Sequence, residues 1–222
     1  MMLLLQYDDR VVEEYSELLK QNERYAETVG LHYINSSKGY EHIPPWWRKV
    51  FLAREMLPYY DGVLWVDTDA AIVSILHPSD LLGDKHFVFS PNPPMLNHPS
   101  LSMFSAPFCA GIWAVKNTPE GRQIMDAWIA SFDAKLWSYS EKQGWKGSGP
   151  YAGYAYEQGA FELSIVRCHN YQQWIKSYPS HVLNYLPKDD NKLEGRGCPG
   201  NVFAVHYWKG NRSHIHKHWA KT

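Results

Sequence analysis

Asp61-Gly62-Val63-Leu64-Trp65-Val66-Asp67-Thr68-Asp69-Ala70-Ala71-Ile72 is the stretch on which fold and chemistry both turn. Gly62–Val66 is a short, strongly apolar run without polar alternation, the pattern of a strand buried on both faces. Two carboxylates, Asp67 and Asp69, follow it at once. Residues two apart in an extended chain point the same way, so the pair can face one point just past the strand's carboxyl end. Open α/β sheets bind their ligands at that edge. Two acids against an apolar strand repel each other unless something positive stands between them. A hard divalent cation, with phosphate oxygens and water in its remaining positions, meets that need.

Upstream, Met2–Tyr7 is a second apolar run, stopped by Asp8-Asp9. A helix is expected from Arg10 to about Thr28, with Val11, Tyr15, Leu18, Leu19, Tyr25 and Ala26 on one face and Gly30 beyond its end. Leu31–Ile34 reads as a strand. Trp46–Leu57 reads as a helix stopped by Pro58. The order strand, helix, strand, helix, strand predicts an α/β fold with a parallel sheet covered by helices.

Downstream, Ser90–Pro107 is proline-rich and reads as a loop, and Ala110–Val115 as a strand. Thr118-Pro119-Glu120 starts a helix that runs to about Phe132. Ser138–Tyr154, rich in Gly, Ser and Tyr, reads as a flexible segment or lid. Tyr156–Val166 is expected to be a short helix, His181–Leu186 a strand, Lys188–Gly200 a polar loop and Val202–His206 a last strand. The basic, histidine-rich Lys209–His218 follows. With no internal repeat and no linker, residues 1–222 are expected to form a single domain.

Composition narrows the function. The chain carries 22 basic against 23 acidic residues, a formal net charge of −1, so the electrostatic footprint of a nucleic-acid binder is missing. Cys109, Cys168 and Cys198 are odd in number and far apart, which argues against a disulfide framework and against a four-cysteine zinc site. The 10 Trp, 15 Tyr and 8 Phe suit a protein that stacks rings on sugars, although the same rings also fill cores. No run of about 20 apolar residues exists, so no membrane segment is expected. The chain as given reads as soluble and cytoplasmic, with a Golgi-lumen location only if an upstream anchor has been removed.

The string from Tyr59 to Ala70 resembles the Asp-x-Asp segment of glycosyltransferases with the GT-A fold. It is most similar to the galactosyl- and mannosyltransferase family of yeast and plants and to the short glycosyltransferases of large algal viruses. Cys109–Thr118 is similar to the strand that follows in such enzymes, and Gly121–Trp128 to the next helix. Tyr156-Glu157-Gln158-Gly159-Ala160 resembles their Glu-Gln-Asp segment. Val205–Gly210 resembles their C-terminal histidine with its nearby glycine and lysine. The chain departs from the family at Ala110, where Asn is frequent, at Gly159, where many members carry Asp, and in the order Lys209-Gly210.

The resemblance implies a GT-A, Rossmann-like fold with a mostly parallel central sheet. It also implies metal-dependent transfer of a hexose from a nucleotide-diphosphate donor, a UDP-sugar, to a carbohydrate or glycoprotein acceptor. Mn²⁺ or Mg²⁺ would be held by Asp67, Asp69 and His206. Tyr7 would stack on the base with Asp8 beside it, and Arg48 or Arg54 would reach the diphosphate or pair with Asp67. Lys209 and Gly210 would meet the diphosphate. Two catalytic roles stay open: Gln158 near the anomeric carbon of a retaining enzyme, which the resemblance favours, or Glu157 as the general base of an inverting one. A non-catalytic sugar-binding module and an Asp-x-Asp phosphatase are the alternative readings of the same motif.

Overall fold

A computed structural model describes residues 1–10, 13–92, 108–185, 201–207 and 215. In chain order the elements are β1 (Leu3–Tyr7), α1 (Ser16–Val29), β2 (His32–Ser36), α2 (Pro45–Met56), β3 (Gly62–Val66), β4 (Ala70–Ile72), α3 (Pro78–Leu82), β5 (Phe87–Ser90) and β6 (Cys109–Lys116). There follow α4 (Pro119–Ala130), a hairpin of β7 (Trp137–Ser140) and β8 (Gly144–Gly147), α5 (Glu157–Phe161), α6 (His169–Gln172), β9 (Ile175–Ser177), α7 (Ser180–Leu183) and β10 (Ala204–His206).

The central sheet has six strands in the order β2-β1-β3-β6-β5-β9. Pairings β1–β2, β1–β3 and β5–β9 are parallel, whereas β6 runs antiparallel to both its neighbours. The α/β class with a mostly parallel sheet is therefore as expected. Each of β1, β3 and β5 is buried along its whole length. Alternate residues serve opposite cores. Leu3, Leu5, Val63, Trp65, Trp113 and Val115 pack under α2, α4 and α5, while Leu4, Leu64, Val66, Ile112 and Ala114 pack under α1 and α3. This two-sided burial explains why the strands read as continuous apolar runs. Outside the main sheet, β10 pairs antiparallel with β4, His206 opposite Ala70.

Several expectations are corrected. The first helix begins at Ser16 after a 3₁₀ turn over Glu13–Tyr15, and β2 extends to Ser36. Thr118 caps α4 as expected, its Oγ1 accepting from Gly121 N–H at 3.1 Å. Ser138–Tyr154 is not an irregular lid throughout: its first part is the β7–β8 hairpin, with Tyr139 opposite Trp145. His181–Leu186 is not a strand. Pro179 starts the one-turn helix α7 instead, and Tyr185 makes a single bridge to Val205. A single turn is decided by its ends, and apolar alternation over six residues does not see them. Ser90 closes β5 and does not open a loop; 93–107, 186–200 and most of 208–222 lie outside the described residues. Among the described residues, no helix is long and apolar enough to cross a membrane.

Candidate active site

β3 delivers the chain to the sheet edge at Asp67, and a tight turn through Thr68 returns it as β4. Ala70 N–H closes the turn on Asp67 C=O at 2.9 Å. Asp67 N–H donates to Gly111 C=O of the reversed strand β6 at 2.8 Å. Trp65 points to the same side, two residues back, and its Nε1–H donates to Asp67 Oδ1 at 2.7 Å. Lys49 Nζ donates to the same oxygen at 2.7 Å and lies 3.9 Å from Glu157 Oε1. On the other flank, Asp69 Oδ1 lies 3.0 Å from His206 Nε2, while His206 Nδ1 lies 2.8 Å from Asn184 Oδ1. Asn184 Nδ2–H donates onward to Cys109 Sγ at 2.9 Å. That leaves Asn184 Oδ1 as the acceptor for His206 Nδ1–H, with Nε2 directed at Asp69.

One ligating atom each from Asp67, Asp69 and His206 lies within 4.8 Å of the others. Asp69 and His206 are buried and Asp67 is more open. The electrostatics follow from burial against charge. Burial alone would lower the His206 pKa, but the Asp69 carboxylate, with Cys109 adding, pushes it up to about 10. The imidazolium proton thus holds the place between His206 and Asp69 that a cation would take. Lys49 is likewise driven down by burial and raised above its ordinary value by Asp67 and Glu157. Glu157 is pushed up to about 7, first by burial and then by Asp67, with Lys49 opposing. Its Oε2 is buried without a hydrogen-bond partner among the described residues.

Gly111 makes room for the imidazole. A Cβ there would lie 2.2 Å from His206 Cε1 and 2.6 Å from Nδ1. Gly111→Ala is therefore expected to displace the ring with the sheet retained, and, if the three residues hold a divalent cation, to weaken its binding by roughly tenfold or more. A Mn²⁺ titration followed by electron paramagnetic resonance, beside a circular dichroism spectrum, checks this. Gly159 has a different reason: a Cβ would lie 2.3 Å from Gly153 C=O, so the backbone leaves no space for the Asp that many members of the resembled family carry.

The other expected site residues fall as follows. Gln158 is the second residue of α5, its Oε1 accepting from Ala110 N–H at 3.0 Å. Tyr7 ends β1 with its ring edge-on to Tyr40 at 6.0 Å and the Arg48 guanidinium 5.8 Å from its centroid. Asp8 accepts from Thr68 Oγ1 at 2.6 Å and from Arg10 Nε at 2.8 Å, tying β1 to the Asp-x-Asp turn. Arg48 does not pair with Asp67; it is buried against Asp9 and donates to Ile43 C=O at 2.9 Å. Arg54 pairs with Asp126. The cation that reaches Asp67 is Lys49, which the sequence reading missed. The signal was directional: α2 runs back along the sheet, so its first half overlies the carboxyl edge and Arg54 is carried away from it. Lys209, Gly210 and the histidines 214, 216 and 218 lie outside the described residues.

No protein-family model matches the sequence, and comparison with curated proteins returns no match. Comparison of the structure does. A glycosyltransferase involved in the glycosylation of the major capsid of PBCV-1 superposes with a TM-score of 0.66 at 13% identity, covering 100% of this chain and 99% of that one. The fold is that of the GT-A glycosyltransferases. The galactosyltransferase LgtC, solved with donor and acceptor sugar analogs, matches with a TM-score of 0.51 at 12% identity over 99% of this chain and 95% of its own. The bifunctional glycosyltransferase WbbM matches at 0.54 and 11% identity over 99% of this chain, which spans 49% of that protein. In this glycosyltransferase fold, two carboxylates and one imidazole converge at the sheet's carboxyl edge beside the cleared space at Gly111. This donor set fits a hard or borderline divalent cation.

Proposed function

We propose that the protein is a metal-dependent glycosyltransferase, a single domain over residues 1–222, that moves a hexose from a UDP-sugar to a carbohydrate or glycoprotein acceptor with retention. The observation that carries this reading is the convergence of Asp67, Asp69 and His206 at the ligand edge of a glycosyltransferase fold. Mn²⁺ or Mg²⁺ suits these three residues, and when bound it would neutralise negative charge developing on the departing diphosphate.

The chain's own groups have distinct work. Trp65 and Lys49 fix the Asp67 carboxylate, and Asn184 fixes the His206 ring through Nδ1. Tyr7 and Asp8 are assigned to the nucleobase, Asp67 to the ribose as well as the metal, and Lys209 and Gly210 to the diphosphate. Gln158, held by Ala110 N–H, is assigned to the donor sugar beside its anomeric carbon. Retention is supported by Glu157. A general base for inversion must meet the acceptor hydroxyl, whereas Glu157 is 3% exposed and turned onto Lys49.

Thermal unfolding with a panel of nucleotide sugars, with and without Mn²⁺, tests this. Saturating UDP-sugar with Mn²⁺ at about 100 times Kd should stabilise the fold by about 2.7 kcal/mol, a rise in Tm of roughly 5–10 °C. UDP-sugar without metal should give much less. A panel in which no nucleotide sugar shifts the midpoint overturns the assignment, and proton NMR of the first-formed product decides retention.

A further inference from the structure

Residues 137–156 contain two Trp and four Tyr and no Leu, Ile, Val, Met or Phe. Trp and Tyr combine an apolar ring with a polar handle, which suits a ligand that is itself half apolar and half polar. The structure puts these rings together. On the hairpin, Trp137 and Tyr139 share one face with their cross-strand partners Gly147 and Trp145. Tyr139 is 61% exposed and its centroid lies 5.4 Å from that of Trp145. At the base of the hairpin Trp137 stacks on Trp46 of α2 at 5.4 Å, and Tyr151 and Tyr156 close on Trp46 edge-on at 6.3 and 5.1 Å. Trp46 precedes Lys49 by one helical turn, on the same side of α2.

The strip therefore ends at the site. Tyr151 is 51% exposed. Burial pushes that phenol up to about 12, Glu157 and Asp67 also act on it, and Lys49 and a hydrogen bond from Trp46 oppose the shift. The strip arrives on the Lys49–Glu157 flank, away from the Asp69–His206 flank.

We propose that the aromatic strip running from Tyr139 and Trp145 to Tyr151 is the acceptor subsite, and that its ligand is a neutral glycan whose pyranose faces stack on these rings. This rests on the glycosyl-transfer reading above. A pyranose offers an apolar C–H face and a rim of hydroxyls, which matches Trp and Tyr rings ordered in a line. Trp137 and Tyr156 are buried and form the base of the strip, so sugars would stack on Tyr151 beside the reaction centre and on Tyr139 and Trp145 further out along the hairpin.

The test uses the whole chain with maltohexaose, cellohexaose and an α1,2-linked mannotetraose as probes, followed by saturation-transfer NMR. An amphipathic leucine-rich peptide serves as competitor. At least one oligosaccharide should bind the parent, and Tyr139→Ala with Trp145→Ala should weaken it at least tenfold. Tyr139→Phe should leave it unchanged, and all variants should keep the Mn²⁺-dependent UDP shift. Should the double variant not fold, Tyr139→Ala alone replaces it. The proposal is overturned if no oligosaccharide binds the parent, if binding survives loss of both rings, or if the peptide displaces the sugar. UDP binding measured in parallel separates the failures: its presence without oligosaccharide binding removes the strip alone, and its absence removes the glycosyl-transfer reading.

Discussion

Asp69→Asn is expected to lose Mn²⁺-dependent UDP binding by roughly 100-fold or more, and turnover with it, and to melt below the parent because the buried imidazolium loses its anionic partner. Asn keeps the volume and still offers an oxygen to His206 Nε2, which now lies 3.0 Å from the carboxylate. What disappears is the negative charge. The buried imidazolium loses the partner that raises its pKa, and a divalent cation loses one of its two anionic donors. Calorimetric titration of UDP in Mn²⁺, beside a thermal scan of the free protein, measures both parts. Parent-like affinity in the variant would remove the metal site from the account.

Lys49→Ala carries the second large effect, and it falls on stability as much as on activity. Lys49 is the one cation placed between Asp67 and Glu157 among the described residues, and both it and Glu157 are nearly enclosed. Removing one member of such a buried set costs about 3–5 kcal/mol, a drop in Tm of roughly 6–20 °C. The pH dependence has a definite sign. Glu157 already titrates near 7 in the fold against an ordinary 4.5, and loss of the ammonium raises it further. Below about pH 4.5 the carboxyl is protonated folded or unfolded and costs nothing; above it the unfolded chain ionises while the fold resists. The deficit of the variant should therefore grow from pH 5 to pH 8. Adding Glu157→Gln should restore much of the stability at pH 8 without restoring turnover. Urea unfolding at the two pH values checks this, and a deficit independent of pH would refute it.

The parts of this molecule that were legible in its sequence are those whose cause is local. β1 and β3 declare themselves because both faces are buried, so no polar residue interrupts Leu3–Tyr7 before Gln6 or Gly62–Val66 at all. Thr118-Pro119 marks a helix start through chemistry confined to four residues. Asp67 and Asp69 were legible through the strand before them. The reversal of β6 was not, because strand direction is set by the connection and by the partner's free edge; Cys109–Lys116 would read alike either way. β5 was hidden by its brevity and the prolines after Ser90. Lys49 was hidden by its neighbour: Arg48 and Lys49 are adjacent cations on one helix, and only the packing of α2 decides which faces Asp67. Asn184, inside a segment read as a strand, gave no sign that it would orient an imidazole.

His206 reaches the site on β10, which pairs with β4 and bridges to Tyr185 outside the six-stranded sheet. The six-stranded sheet uses strands between Leu3 and Ser177 and is complete without it. Closing β10 onto β4 joins residues more than a hundred positions apart through three pairs, Ala204 with Ile72, Val205 with Ala71 and His206 with Ala70. Such a contact carries a large loop-closure entropy, which the burial of Phe203, Ala204, Val205 and Tyr207 offsets. It is therefore expected to form late in folding, after the central sheet. Building the sheet and completing the site are then separate steps for this chain, and a ligand held by His206 would stabilise the second.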